Sequence, residues 1–121
     1  MTLEEQCKQL PRITSTEGTV IQGLMIGCYQ YPDDVNNFIE KAYEFNILQN
    51  NYFEKYNKLL ETKYNELEKD FVYEELTLED LLVICTFIIR GERFCDGHID
   101  KHLKNGIFQR VVNKLIEGDY K

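Results

Sequence analysis

Two arginines and a histidine surround a phenylalanine in residues 88–98, directly behind an apolar run. Arginine presents paired N–H donors that match phosphate oxygens, and phenylalanine offers a face on which a base can stack. Gly91 and Gly97 let the backbone approach a ligand, and Asp96, as the N-cap of a new helix, would leave free N–H groups that bind phosphate. These residue types predict a nucleotide site. Its expected ligand-binding residues are Arg90, Arg93, Phe87, Phe94, Asp96, Gly97, His98 and Arg110.

The same segment also has a purely structural interpretation. Arg90 would cap the carbonyls of its own helix, and Arg93 would pair with Glu92 or Asp96. Phe94, together with its neighbouring cysteine, would belong to the core. Judged by residue types alone, this interpretation is favoured, because structural ion-pair networks imitate sites.

Catalytic and metal chemistry have weaker support in the sequence. His98 and His102 stand four residues apart on one predicted helix face, but a third metal ligand is not obvious. Cys95 lies close to Arg93 and His98 and is a candidate nucleophile, although a buried structural cysteine is commoner. The chain contains no P-loop, G-x-G-x-x-G or G-x-S-x-G motif. We therefore expect no catalytic residue, no metal and no cofactor.

Composition limits the class of ligand. The chain has 121 residues, which suits one domain spanning residues 1–121. Its 14 Lys and Arg are outnumbered by 21 Asp and Glu, giving a net charge of −7 that disfavours DNA, RNA and anionic membranes. Screening limits this field to about 8 to 10 Å, so an anion can still bind at a local arginine pair.

The chain carries no pattern of a signal peptide or a membrane span. Its four cysteines stand at residues 7, 28, 85 and 95, without a C-x-x-C pair. A zinc site is improbable at these spacings. We therefore expect a cytoplasmic protein with free thiols.

The N-terminal part predicts a two-stranded antiparallel β-hairpin over residues 12–29. β-Branched residues dominate 12–16 and 19–29, and Glu17-Gly18 supplies the glycine of a tight turn. The second strand is too apolar to leave in solvent, so it should lie on the helices or on the hairpin of a second subunit. The hairpin is thus a candidate dimerisation element.

The rest of the chain, residues 33–117, predicts a bundle of about five helices. Apolar residues recur at helical spacing from 33 and again over 52–71, and a capping box at Thr77 and Asp80 opens a third helix that is apolar nearly all round. A fourth helix is predicted after Asp96 and a fifth over 107–116. The predicted fold class is therefore α+β, a hairpin followed by a helical bundle that carries the ligand motif.

The motif RGERFCDGH at residues 90–98 resembles a pattern, R-x-[DE]-R-F-C-[DE]-G-H, of a small uncharacterised bacterial and phage domain family. Within that family the chain resembles the Thoeris anti-defence one family. Those phage proteins sequester a cyclic ADP-ribose isomer made by a bacterial TIR-domain immune enzyme, and some also take up cyclic oligonucleotides. The resemblance spans about residues 12–117, although only the motif block is specific.

The resemblance implies a non-catalytic protein that binds a cyclic nucleotide signal in an infected bacterial cell. The apolar hairpin suggests in addition a homodimer or larger homo-oligomer. The residue types and the resemblance together place Arg90 and Arg93 on phosphates, Phe87 or Phe94 on adenine and Asp96 on a ribose hydroxyl. Two alternatives stay open. One is a hydrolase of such nucleotides that uses His98 or Cys95, and the other is a protein-binding module that acts through residues 19–26.

Overall fold

The computed structural model describes residues 1–20, 29–62 and 74–121. This part of the chain forms helices connected by short loops, together with one very short pair of strands. In chain order the elements are α1 (Leu3–Lys8), β1 (Thr19–Val20), β2 (Tyr29–Gln30), α2 (Asp33–Glu44), α3 (Tyr52–Thr62), α4 (Leu78–Gly91), α5 (His98–Lys104) and α6 (Ile107–Glu117).

The predicted α+β class is wrong, because the described structure is mainly helical and the predicted hairpin is not formed. Residues 11–18 adopt no regular structure, so the first predicted strand is not there. Among the described residues, strand pairing is limited to Thr19 with Gln30 and Val20 with Tyr29. Most of the second predicted strand, residues 21–28 of 19–29, lies outside the described residues. The surface predicted for dimerisation belongs to this part.

In the first predicted strand, backbone N–H and carbonyl groups are hydrogen-bonded to side chains of the helices and not to a second strand. The Asp34 carboxylate accepts hydrogen bonds from the N–H of Thr14 at 2.8 Å and of Ser15 at 2.9 Å. Gln109 Nε2 donates to the carbonyl of Ser15 at 2.8 Å. Ile13, which directly precedes these residues, is buried in the core. Tertiary contacts therefore outweigh the β propensity of this segment.

Asp34 fixes this segment to the start of α2, where its charge also suits the helix dipole. Burial tends to raise the pKa of this carboxyl, but hydrogen bonds from the Ser15 side chain and from the N–H groups of Ser15, Thr14 and Val35 lower it to about 2. A lowered folded-state pKa stabilises the protein above the ordinary value near 3.9, and this stabilisation is lost as the pH falls toward 2.

The Asp34→Asn variant is expected to unfold more easily than the wild type by about 1 kcal/mol at pH 7, because a charge-assisted acceptor is lost. The difference should shrink as the pH falls from about 4 to 2, since the wild-type carboxyl then becomes protonated. Urea denaturation of both proteins at several pH values measures it. A difference that stays constant down to pH 2 would contradict the assigned role.

The predicted capping box of α4 is confirmed. Thr77 Oγ1 accepts from the N–H of Asp80 at 3.1 Å, and the Asp80 carboxylate accepts from the N–H of Thr77 at 3.1 Å. The helix is central, as predicted, and it packs against α3, α5 and α6. Its buried residues are Leu81, Leu82, Val83, Ile84, Cys85, Thr86, Ile88 and Ile89. Helix α4 is thus the rigid element from which the 90–98 motif extends.

The buried apolar side chains of the described residues form one cluster around α4. Phe38 of α2 meets Phe108 of α6 edge to face at 5.5 Å between ring centroids. Thr86, buried inside α4, donates to the carbonyl of Leu82 at 2.7 Å and accepts from the N–H of Gln49 at 3.0 Å. The loop before α3 is therefore anchored to α4.

In the parts of the chain that the structure covers, every helix is too short or too polar to traverse a lipid bilayer.

Candidate functional site

A cavity of about 550 Å³ lies where the C-terminal end of α4 meets the start of α3 and the turn into α5. This volume falls within the range of small-molecule sites, roughly 300 to 1,000 Å³. The wall is mainly aromatic. The lining residues are Tyr52, Phe53, Phe87, Gly91, Phe94, Cys95 and His98.

Two phenylalanines of this wall are largely exposed, Phe53 by 65% and Phe94 by 83%. Cys95 is exposed as well. The structural interpretation that placed Phe94 and its cysteine neighbour in the core is therefore wrong. Exposed aromatic side chains at the mouth of a cavity are suited to stack on a planar ligand.

Phe87 lies deeper in the wall than these two residues. Its ring stacks on Tyr56 of α3 at 3.8 Å between centroids, with 4° between the planes. The His98 ring meets it edge to face at 4.9 Å. One face of Phe87 is therefore already covered by protein. Of the two predicted stacking residues, Phe94 is the more exposed.

His98 is held in place by the end of α4. Its Nδ1 lies 3.0 Å from the carbonyl oxygen of Ile88. A carbonyl only accepts, so Nδ1 donates and the proton of a neutral imidazole resides there. The ring also lies directly against Gly91, where a Cβ would collide with it. The glycine of the motif thus makes room for the histidine.

The two arginines of the motif do not make the contacts of the structural interpretation. Arg90 Nη1 donates to the carbonyl of Gln49 at 3.3 Å, and its guanidinium lies 5.7 Å from the ring centroid of Tyr52. Its Nε is buried without a hydrogen-bond partner in the described structure. Arg93 is exposed and donates to the hydroxyl of Tyr43 at 3.3 Å. Neither residue lines the cavity, but Arg90 lies against its wall.

The sequence predicted Asp96 as the N-cap of α5, and this prediction is wrong. Gly97 takes that position with a φ of 86°, and it supplies no side-chain cap. A side chain at this left-handed position would be strained, and it would also meet the ring of Tyr29. Asp96 is exposed and lies outside the cavity lining.

The predicted phosphate site at the start of α5 is also wrong, because the Glu92 carboxylate occupies it. Glu92 accepts from the N–H of Gly97 at 3.0 Å and from the N–H of Ile99 at 2.9 Å. The hydroxyl of Tyr31 donates to the same carboxylate at 2.8 Å. The free amides of this helix end are therefore satisfied by a side chain of the protein itself.

Tyr31 extends this network toward the N-terminal segment. Its hydroxyl accepts from the N–H of Asp100 at 3.2 Å, and the Asp100 carboxylate accepts from the N–H of Gly18 at 2.7 Å. Burial, followed by the hydrogen bond to Glu92, raises the pKa of Tyr31. Lys104 forms an ion pair with Asp100 at 3.0 Å. The network fixes α5, and with it His98, relative to Gly18 and Tyr31.

His102 lies beside His98, as their spacing predicted, with 4.8 Å between ring centroids. It is only 7% exposed, and its Nδ1 has no hydrogen-bond partner in the described residues. The pKa of His102 is lowered to about 4, mainly by burial and further by electrostatic repulsion from His98 and Lys101. Residues 1–20, 29–62 and 74–121 contain no group of three or more His, Cys, Asp or Glu side chains that could hold a metal ion.

Of the predicted ligand-binding residues, Phe87, Phe94 and His98 line the cavity, and the others do not. Two further lining residues, Tyr52 and Phe53, were missed by sequence reasoning. Arg110 lies half-buried on α6 and does not line the cavity. Tyr52 and Phe53 were not predicted as ligand contacts, because Phe53 was assigned to an apolar helix stripe. The available signal was their adjacency, since two consecutive helical residues do not face the same core.

A family model described as a family of unknown function, DUF6508, matches residues 2–118 of the chain. No curated protein and no solved structure matches it. The resemblance to the Thoeris anti-defence one family therefore stays a prediction.

Proposed function

We propose that the chain, which belongs to the family of unknown function DUF6508, binds a nucleotide in the aromatic cavity and sequesters it without chemical change. The observation that carries the proposal is the aromatic wall, with Phe53 and Phe94 exposed at a cavity of about 550 Å³. Base stacking on an aromatic side chain contributes about 1 to 3 kcal/mol and needs no particular base.

The proposed ligand is a cyclic ADP-ribose isomer, the signal implied by the resemblance of the 90–98 motif. The Glu92 carboxylate already accepts hydrogen bonds from the N–H groups at the start of α5, so these groups are not available to the phosphates of the ligand. The phosphates would therefore be contacted by Arg93 and Arg90. The net charge of −7 argues against DNA or RNA as the ligand. A cyclic oligonucleotide is a further candidate for the same chemistry.

Binding without turnover is supported by the contacts of the two candidate catalytic residues. His98 Nδ1 contacts a backbone carbonyl, not a carboxylate that would stabilise an imidazolium. Cys95 Sγ has the carbonyl of Asp96 as its hydrogen-bond partner, at 4.0 Å. Neither contact activates a nucleophile.

In the biological setting that we propose, a phage-encoded protein acts in the cytoplasm of an infected bacterium as a homodimer or larger homo-oligomer. Removal of the signal would counteract TIR-based anti-phage defence. The hydrolase alternative uses the same ligand but predicts a different product.

Titration calorimetry of the purified protein with cyclic ADP-ribose isomers is expected to show binding at micromolar protein concentration. Heating the complex should then release the ligand chemically intact, as judged by mass spectrometry. Cleaved product would favour the hydrolase. No heat with any isomer or with cyclic oligonucleotides would reject the proposed function.

A further inference from the structure

His98 differs from its neighbours in the cavity wall, because it presents a fixed hydrogen-bond acceptor. The bond between Nδ1 and the carbonyl of Ile88 assigns the proton to Nδ1. In the neutral ring, Nε2 is then an acceptor only. This nitrogen has no hydrogen-bond partner among the described residues, and the ring to which it belongs lines the cavity.

The other lining side chains do not supply an equivalent acceptor. The backbone carbonyl of Gly91 already accepts from the N–H groups of Phe94 and Cys95, at 3.1 and 3.0 Å. The Tyr52 hydroxyl can both donate and accept, so it does not discriminate between a ligand group that donates a hydrogen bond and one that accepts it. The thiol of Cys95 is a weak partner in either role.

The surroundings keep the His98 ring in this orientation. Gly91 leaves just enough room for it, Phe87 meets it edge to face, and His102 meets it at 4.8 Å on the α5 side. The lowered pKa of His102 means that this neighbour is uncharged near neutral pH. The groups that contact the His98 ring are therefore uncharged, and an unpaired polar atom in such surroundings is costly.

We infer that Nε2 of His98 selects a planar ring that carries an N–H donor over the same ring without one. Within the nucleotides, the exocyclic amine of adenine is such a donor. This inference rests on the proposed function, since it specifies which base the aromatic cavity prefers. His98 is thereby a specificity-determining residue and performs no chemistry.

The test compares two probes at pH 8, where an ordinary imidazole is neutral. Adenosine 5′-monophosphate carries the amine, and purine riboside 5′-monophosphate has hydrogen in its place. The wild-type protein is expected to bind the adenosine probe about tenfold more tightly, which corresponds to one neutral hydrogen bond. Titrations followed by protein NMR detect binding up to millimolar probe.

Two variants separate the acceptor from the fold. In His98→Asn the amide nitrogen can still donate to the Ile88 carbonyl, but the acceptor in the cavity is lost, so the preference should fall to within about twofold. In His98→Gln the longer amide can return an acceptor near the Nε2 position, so part of the preference should remain. Thermal unfolding verifies that each variant is folded.

The possible outcomes are distinct. Equal binding of both probes by the wild type overturns the inference and leaves the nucleotide site standing. A tenfold preference that persists in His98→Asn also overturns it, because stacking differences alone would then explain the preference. Failure of both probes to bind the wild type at millimolar concentration overturns this inference, whereas the proposed function is decided separately by the calorimetry with cyclic ADP-ribose isomers.

Discussion

Replacement of Glu92 by alanine is expected to lower the free energy of unfolding by about 3 kcal/mol. The carboxylate accepts three hydrogen bonds, from the Tyr31 hydroxyl and from the N–H groups of Gly97 and Ile99. Loss of a charged acceptor leaves each donor to find water or stay unpaired, at about 1 kcal/mol or more per group. Urea denaturation followed by circular dichroism measures the change.

Two further variants distinguish the network from a simple loss of packing. Glu92→Gln keeps one acceptor oxygen and should cost about half as much. Tyr31→Phe removes the donor to Glu92 and also the acceptor of the Asp100 N–H, so only the first part of its effect should be contained within that of Glu92→Ala in a double-mutant cycle. If Glu92→Ala is within about 0.5 kcal/mol of the wild type, the carboxylate does not hold α5 in solution.

The predicted role of Glu92 illustrates where sequence reasoning reached its limit at the site. The segment 90–98 was singled out as a site, and two of its residues, Phe94 and His98, line one cavity. The sequence placed Glu92 only as a possible ion-pair partner. Its contacts with Gly97 and Ile99 depend on the left-handed backbone at Gly97, which decides how the turn closes and is not encoded by periodicity.

Helices were predictable where a local signal and burial agreed. The capping box at Thr77 and Asp80 and the all-apolar interior of α4 both mark a central helix, and both are found. The first strand of the hairpin failed because its evidence was local, namely β propensity and a turn glycine. Thr14 and Ser15 are hydrogen-bonded instead by Asp34 and Gln109, which are distant in sequence.

Simultaneous replacement of Phe53 and Phe94 by alanine is expected to weaken nucleotide binding by about 100-fold or more. Each ring is largely exposed, so neither contributes much to the core, whereas each would contribute about 1 to 3 kcal/mol by stacking on a base. Calorimetry with a cyclic ADP-ribose isomer measures the loss, and unfolding curves should differ from the wild type by less than about 1 kcal/mol.

Leu3→Ala provides the matched control, because this exposed apolar residue lies on α1 and does not line the cavity. Its affinity should equal that of the wild type. The single variants Phe53→Ala and Phe94→Ala should each lose part of the affinity, since each removes one of the two phenylalanine rings on which the base would stack. Unchanged affinity in the folded double variant would place the ligand elsewhere on the protein, and the aromatic cavity would then have no part in binding it.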